Sequence, residues 1–151
     1  MQAVLQCCSS GSVKVDGDVK GSVGRGFVIL VGITTQDTQN EARILAEKCA
    51  GLRVFEDGNG KLNLSVKDIG GEVLVISNFT LCADARHGRR PSYINAARPE
   101  NALPLYEYFV DCLRQLGVSK VETGVFGADM KVDICNDDPV TLVLDTDELT
   151  K

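Results

Sequence analysis

The chain has 151 residues, 44% of them hydrophobic and 25% charged, with 15 glycines, no tryptophan and a formal net charge of −5. This length fits one domain over residues 1–151 with a real core, and the composition excludes a disordered or fibrous protein. The acidic balance argues against a general polyanion binder, and no apolar run approaches the roughly 20 residues of a membrane-spanning helix.

The N-terminus "MQAVLQCCSS" lacks the charged start and apolar core of a secretory signal, so cytoplasmic location is expected. The first 34 residues read as several short strands. Asp16-Gly17, between "VKV" and "DVK", marks a hairpin, because both central positions of a type I′ turn need positive φ. "FVILVGI" (27–33) is continuously apolar, as in a strand covered on both faces. Helical spacing follows at positions 42, 44, 45, 49 and 52, with Thr38 as N-cap and Glu41 completing a capping box.

"EDGNGKLN" then reads as a turn. It begins like a calcium loop but lacks the later ligands, so no metal is expected there. "EVLVISNFTL" (72–81) is a second buried-strand run. Residues 99–117 form a second helix with Leu105, Phe109, Cys112 and Leu116 on one stripe and Gly117 as its stop. "VETGVFGADMKVDICN" and "VTLVLDTD" supply closing strands. The expected class is mixed α/β (α+β) with a largely antiparallel sheet.

Six cysteines at 7, 8, 49, 82, 112 and 135 show no CxxC. Without a secretory signal they read as buried reduced thiols rather than disulfides. Cys82 and His87 have no second pair to complete a zinc site. "GSVGRGF" (21–27) runs G-x-x-G-x-G into a strand, so it is a turn and not a dinucleotide fingerprint. His87 is the only possible imidazole base, and it sits in an arginine-rich loop rather than in an evident triad. Asp129 and Asp133 could share one strand face as a paired carboxylate, although surface acids explain them as well. The residues taken singly leave a chemistry of backbone amides and hydroxyls open.

Two local features stand out. "ARHGRRPS" (85–92) concentrates Arg86, Arg89 and Arg90 in an acidic chain; it is either a solvated loop or a phosphate-binding one. "NDDPVTLVLD" (136–145) sets Pro139 before an alternating run, although proline cannot donate to a sheet ladder.

"SNFTLCADARHGRRPSY" (77–93), "ETGVFGADMKVDICNDDPVT" (122–141) and the opening "MQAVLQ…SVKVDGDVKGSVGRG" together resemble the D-aminoacyl-tRNA deacylases, and the likeness runs the full chain. The resemblance implies a two-sheet, barrel-like mixed α/β fold with two main helices. It also implies hydrolysis of the ester of D-aminoacyl-tRNA and of glycyl-tRNA, no cofactor, and a homodimer with composite sites. Ser77, Asn78, Phe79 and Thr80 resemble the family's catalytic segment, which begins Ser-Gln and carries a threonine. Asp138 and Pro139 match a Gly-Pro dipeptide that, in the family, has a cis bond, enters the site from the partner subunit and excludes L-amino acids. On this resemblance Asp138–Pro139 is expected to be cis, and Arg86, Arg89 and Arg90 are expected to meet tRNA phosphates. Three positions depart from the pattern: Asp138 replaces glycine, Asn78 replaces glutamine, and Cys7 replaces an arginine that helps hold the turn. They leave one alternative, a tRNA- or nucleic-acid-binding relative with altered specificity or lost hydrolysis.

Overall fold

A computed structural model describes residues 1–149. Strand β1 (Gln2–Val15) is the spine of a six-stranded mixed sheet. One edge of β1 pairs antiparallel with β3 (Gly26–Gly32) near its start and with β2 (Asp18–Val23) near its end. The other edge pairs antiparallel with β8 (Lys131–Asp145) from Gln2↔Asp145 to Lys14↔Lys131. Beyond β3 the pairing is parallel, to β6 (Glu72–Ser77) and then to β7 (Lys120–Thr123). The antiparallel expectation therefore holds around β1 only; the two helical crossovers force parallel pairing in the other half.

The hairpin at Asp16-Gly17 forms as its dipeptide requires, with φ of 51° and 84°. From there β2 and β3 run end to end along β1, and the sheet curls until β2 lies against β7. A Cβ on Gly21 would sit 2.7 Å from the Thr123 carbonyl, so glycine is what permits this near closure of the barrel. At Gly26 a Cβ would fall 1.7 Å from the Glu72 carbonyl, which fixes how closely β3 can approach β6.

Helices α1 (Gln39–Gly51) and α2 (Pro99–Gln115) cover one face of the sheet. Thr38 and Glu41 form the expected capping box, and Ala42, Leu45, Ala46, Cys49 and Ala50 are buried. Helix α2 buries Ala102, Tyr106, Phe109, Val110, Cys112 and Leu113, so Phe109 and Cys112 of the expected stripe are buried, while Leu105 and Leu116 are half-buried against the same core. The Tyr106 hydroxyl donates to the Val75 carbonyl (2.7 Å), tying α2 to β6. Leu5, Phe27, Ile29, Leu45 and Phe109 anchor this core.

The opposite, enclosed face holds a smaller core of Cys8, Val13, Val23, Val28, Leu74 and Ile76. A short hairpin, β4 (Phe55–Glu56) and β5 (Leu62–Leu64), occupies the expected turn region. There the Asp57 carboxylate accepts from the amides of Asn59 (2.8 Å) and Lys61 (3.1 Å), so it closes the turn itself. A final turn, α3 (Thr146–Leu149), follows β8. Five cysteines are buried and Cys135 is exposed, all as free thiols. No helix among the described residues is long and apolar enough to cross a membrane.

Two strand expectations need correction. The run at 72–81 stops being a strand at Ser77, and Phe79–Cys82 form a 3₁₀ turn. The two closing strands after β7 are one strand, β8, which passes straight through Pro139. It does so across a bulge: the pairing slips between Gln6↔Thr141 and Cys8↔Asn136, leaving residues 137–140 outside the regular ladder.

Candidate active site

The site begins where β6 gives way. The Asn78 amide donates to the Val31 carbonyl (2.8 Å), a last rung toward β3, and the chain then turns into the 3₁₀ helix. Glycine at position 32 makes room for that turn. A Cβ there would lie 2.9 Å from Leu81 Cβ and 3.0 Å from Cys82 Sγ. The first helical hydrogen bond runs from the Leu81 amide to the Asn78 carbonyl (3.3 Å). The Phe79 and Thr80 amides precede it, as the orphan donors at any helix start do. Within the turn the Thr80 hydroxyl donates to Asn78 Oδ1. Phe79 is 57% exposed and meets Tyr93 edge-on, ring centres 5.2 Å apart.

These residues floor a cleft of about 880 Å³. Ser77, Asn78, Phe79 and Thr80 all line it, so the expected catalytic segment is brought together in one place. One wall is the segment from Ala96 to Pro99 with Ala102; the other is the loop from Phe126 to Met130 with Val132 and Ile134 of β8. Most of this lining is apolar, with few polar groups converging, as in sites for organic ligands. Its titratable side chains are Tyr93, Arg98 and Asp129, so neither an imidazole nor a thiol faces the cleft. Among the described residues no group of three His, Cys, Asp or Glu is placed to hold a metal ion.

Asp138 and Pro139 lie elsewhere. Asp138 borders a separate hollow of about 160 Å³ with Cys7, Arg25, Phe55 and Asp137, away from the chain's own Ser77–Thr80 cleft. The expected cis bond is not found: the described residues contain no cis peptide. Trans is the default that any X–Pro bond takes unless its surroundings oppose it. Asp138 instead takes up the bulge with φ of 90°, a value usual for glycine. Position 7 carries no arginine to brace the turn. Its thiol is buried and points at the Val54 carbonyl (3.8 Å). Burial, with Cys8 and Asp137 nearby, pushes the Cys7 thiol up to about 11.

The basic loop is a small excursion closed by reciprocal backbone bonds between Asp84 and Ser92, both 2.8 Å. Arg86 is exposed, and part of its guanidinium is already paired. Its Nε and Nη2 donate to the two Asp84 oxygens at 2.9 and 2.8 Å, a bidentate fork with the acid just upstream of the loop. Arg89, Arg90 and His87 are exposed. Asp129 and Asp133 do not share a strand face: Asp129 lies in the loop lining the cleft, and Asp133 is on the exposed side of β8 opposite Ser12. Arg98 escapes a reading of the sequence, although an Arg-Pro step opening a helix beyond a basic loop is a signal that could have found it.

The family described as D-Tyr-tRNA(Tyr) deacylase matches residues 4–145. The chain belongs to the D-aminoacyl-tRNA deacylase family. A D-aminoacyl-tRNA deacylase of Thermus aquaticus is 55% identical over 148 residues, covering 98% of this chain and 97% of that one. Another from Geobacillus sp. (strain WCH70) is 51% identical over 148 residues, with the same coverage of both chains. Among solved structures, one described as "c-Myc DNA Unwinding Element Binding Protein" superposes with a TM-score of 0.91 at 39% identity, covering 96% of this chain and 98% of that one. A structure described as a probable eukaryotic D-amino acid tRNA deacylase superposes with a TM-score of 0.81 at 15% identity, over 95% and 97% of the two chains. That second likeness speaks for the fold alone. In this deacylase-family chain, the nearly closed sheet and two covering helices agree with the fold the resemblance implied.

Proposed function

We propose that this chain hydrolyses the ester between a D-amino acid, or glycine, and the terminal ribose of tRNA in the cytoplasm. Full-length identity to D-aminoacyl-tRNA deacylases carries the reading. The cleft supports it chemically. It offers hydroxyls at Ser77 and Thr80 and, at the start of the 3₁₀ turn, the Phe79 and Thr80 amides. Amides in that position can stabilise the oxyanion that forms as water adds to the ester carbonyl. Ser77, Asn78, Phe79 and Thr80 are therefore the catalytic segment of this proposal. Asn78 holds Thr80 through the hydrogen bond between their side chains.

The proposed working unit is a homodimer in which Asp138 and Pro139 of one copy complete the cleft of the other. Two observations support this. A chain's own Asp138 lies outside its own cleft. Among the described residues strand β8 also pairs on one edge only and leaves Val143 78% exposed, as a strand awaiting a partner would. A two-fold axis would then give two equivalent sites. Arg86, Arg89 and Arg90 are proposed to meet tRNA phosphates, as exposed cations of one loop in an acidic chain.

The second reading is nucleic-acid binding without hydrolysis. The solved structure at 39% identity motivates it, because that protein is named for the DNA element it binds. A deacylation assay separates the two. Release of D-tyrosine from D-tyrosyl-tRNA, with L-tyrosyl-tRNA spared, supports the hydrolase. Bound but intact D-tyrosyl-tRNA supports the binding protein.

A further inference from the structure

Arg98 and Asp129 are the two charged side chains in a mostly apolar cleft, and no ion pair joins them among the described residues. Arg98 is the cation of the pair. Its backbone is held from both sides: the Ala97 amide donates to the Ile33 carbonyl (2.9 Å), and the Arg98 carbonyl accepts from Asn101 (2.9 Å) and Ala102 (2.8 Å). Arg98 is also the N-cap of α2, but a guanidinium is donor-only and cannot accept from the helix N–H groups; its side chain is exposed. The guanidinium is thus carried on a rigid Cα at the rim of the cleft without a task in the helix. Glu100, the acid of the first helical turn, does not line the cleft.

An exposed cation on a fixed mount recognises an anion, and Arg does so best with a two-oxygen group. If the proposed function holds, on which this step rests, the amino acid in the cleft is an ester and has no free carboxylate. The nearest anion on such a substrate is the phosphodiester on the 5′ side of the esterified adenosine. We infer that Arg98 is a substrate-positioning residue that grips this terminal phosphodiester and so sets the ester over the Ser77–Thr80 turn. This inner contact differs from the Arg89 and Arg90 contacts, which lie on an excursion outside the cleft.

The test compares wild type, Arg98→Ala and Arg98→Lys on D-tyrosyl-tRNA across a salt series, and on D-tyrosyl-adenosine, which lacks the phosphate. On the tRNA, Arg98→Ala is expected to lower kcat/KM about ten- to a hundredfold, chiefly through KM. The slope of log kcat/KM against log salt should fall by about 0.7, the value for one phosphate on a single strand. Arg98→Lys should restore the slope and only part of kcat/KM, because it keeps the charge and loses the fork. All three proteins should hydrolyse D-tyrosyl-adenosine alike, which also shows that the variants are folded. An unchanged salt slope in Arg98→Ala, or an equal loss on both substrates, overturns the assignment while leaving the hydrolase intact. A wild type that releases no D-tyrosine from tRNA overturns the activity and the assignment together.

Discussion

Asn136 Nδ2 donates to the Cys7 carbonyl at 2.9 Å and to the Val140 carbonyl at 3.1 Å. One side-chain amide thus ties β1 to both ends of the bulge that carries Asp138 and Pro139. Its Oδ1 in turn accepts from the Thr141 hydroxyl (3.2 Å). Backbone carbonyls displaced from a ladder need partners when they are half-buried, and Asn136 supplies them. With a thiol at position 7, this amide is what braces the turn. Asn136→Ala should therefore cost about 1–3 kcal/mol of stability, the range for stranding buried carbonyls, as read by urea unfolding. A variant as stable as wild type would show that the bulge is held by its backbone alone.

The Asp84–Arg86 fork makes a pH prediction. The Arg86 hydrogen bonds, side chain then backbone, hold the Asp84 carboxyl at about 2 in place of 3.8. A depressed folded pKa stabilises the loop above the unfolded value, and that contribution is lost as pH falls from 3.8 toward 2. Arg86 is exposed and Asp84 only partly covered, so the effect is local and small. Carbon-detected NMR titration should place Asp84 well below the other surface aspartates, and Arg86→Ala should return it toward its ordinary value. An Asp84 that titrates normally in wild type would break the fork.

The N-terminal ammonium donates to Asp37 Oδ1 at 2.6 Å and to Thr146 Oγ1 at 2.8 Å, with the Asp37 side chain only 4% exposed. The other Asp37 oxygen accepts from the Thr34 amide at 2.7 Å. Removing one member of a buried pair leaves the other charge uncompensated, which costs about 3–5 kcal/mol. Asp37→Ala should lower the unfolding free energy by that amount, and Thr146→Val by less, since it removes one neutral acceptor. Equal effects from the two variants would contradict a charge-based account.

How much of this is legible in the sequence depends on the range of the forces involved. The Asp16-Gly17 hairpin, the Thr38–Glu41 capping box and the doubly covered β3 are set by neighbours within a few residues. Each appears as read. The turn after Ser77 needs the space left by Gly32, far away in sequence, and local hydrophobicity at 77–81 cannot register it. Pro139 looks like a strand start because the bulge that tolerates it is built by pairing with β1 and by Asn136. Arg86 reads as unpaired when the window opens at Ala85, and its partner is the residue just before. The four catalytic candidates stand out by resemblance alone, since no spacing rule marks a site made of amides and hydroxyls. Arg98 and Asp129 come to one cleft only through the fold, which sets the start of α2 across from the loop after β7.

The composite site can be tested by complementation. A Thr80→Val protein should lose most activity through its own cleft, and Pro139→Ala should lose D/L discrimination in the cleft it serves. Mixed dimers carrying one variant per subunit hold one cleft with wild-type Thr80 and a wild-type Pro139 from across the axis. They should regain selective activity that neither parent shows. A monomeric mass at micromolar concentration with full activity, or mixtures no better than the parents, would show that each chain works alone.

The most direct measurement is release of labelled tyrosine from D-tyrosyl-tRNA and from L-tyrosyl-tRNA by the wild-type protein beside Thr80→Val. The Ser77–Thr80 cleft is predicted to clear the D-ester well ahead of the L-ester. Thr80→Val keeps the backbone amide but removes the hydroxyl that ties Thr80 to Asn78, so it should lose activity about a hundredfold through a displaced catalytic turn, without loss of fold. Equal clearance of both esters would contradict the chiral reading. D-selective release undiminished in Thr80→Val would place the chemistry outside this cleft.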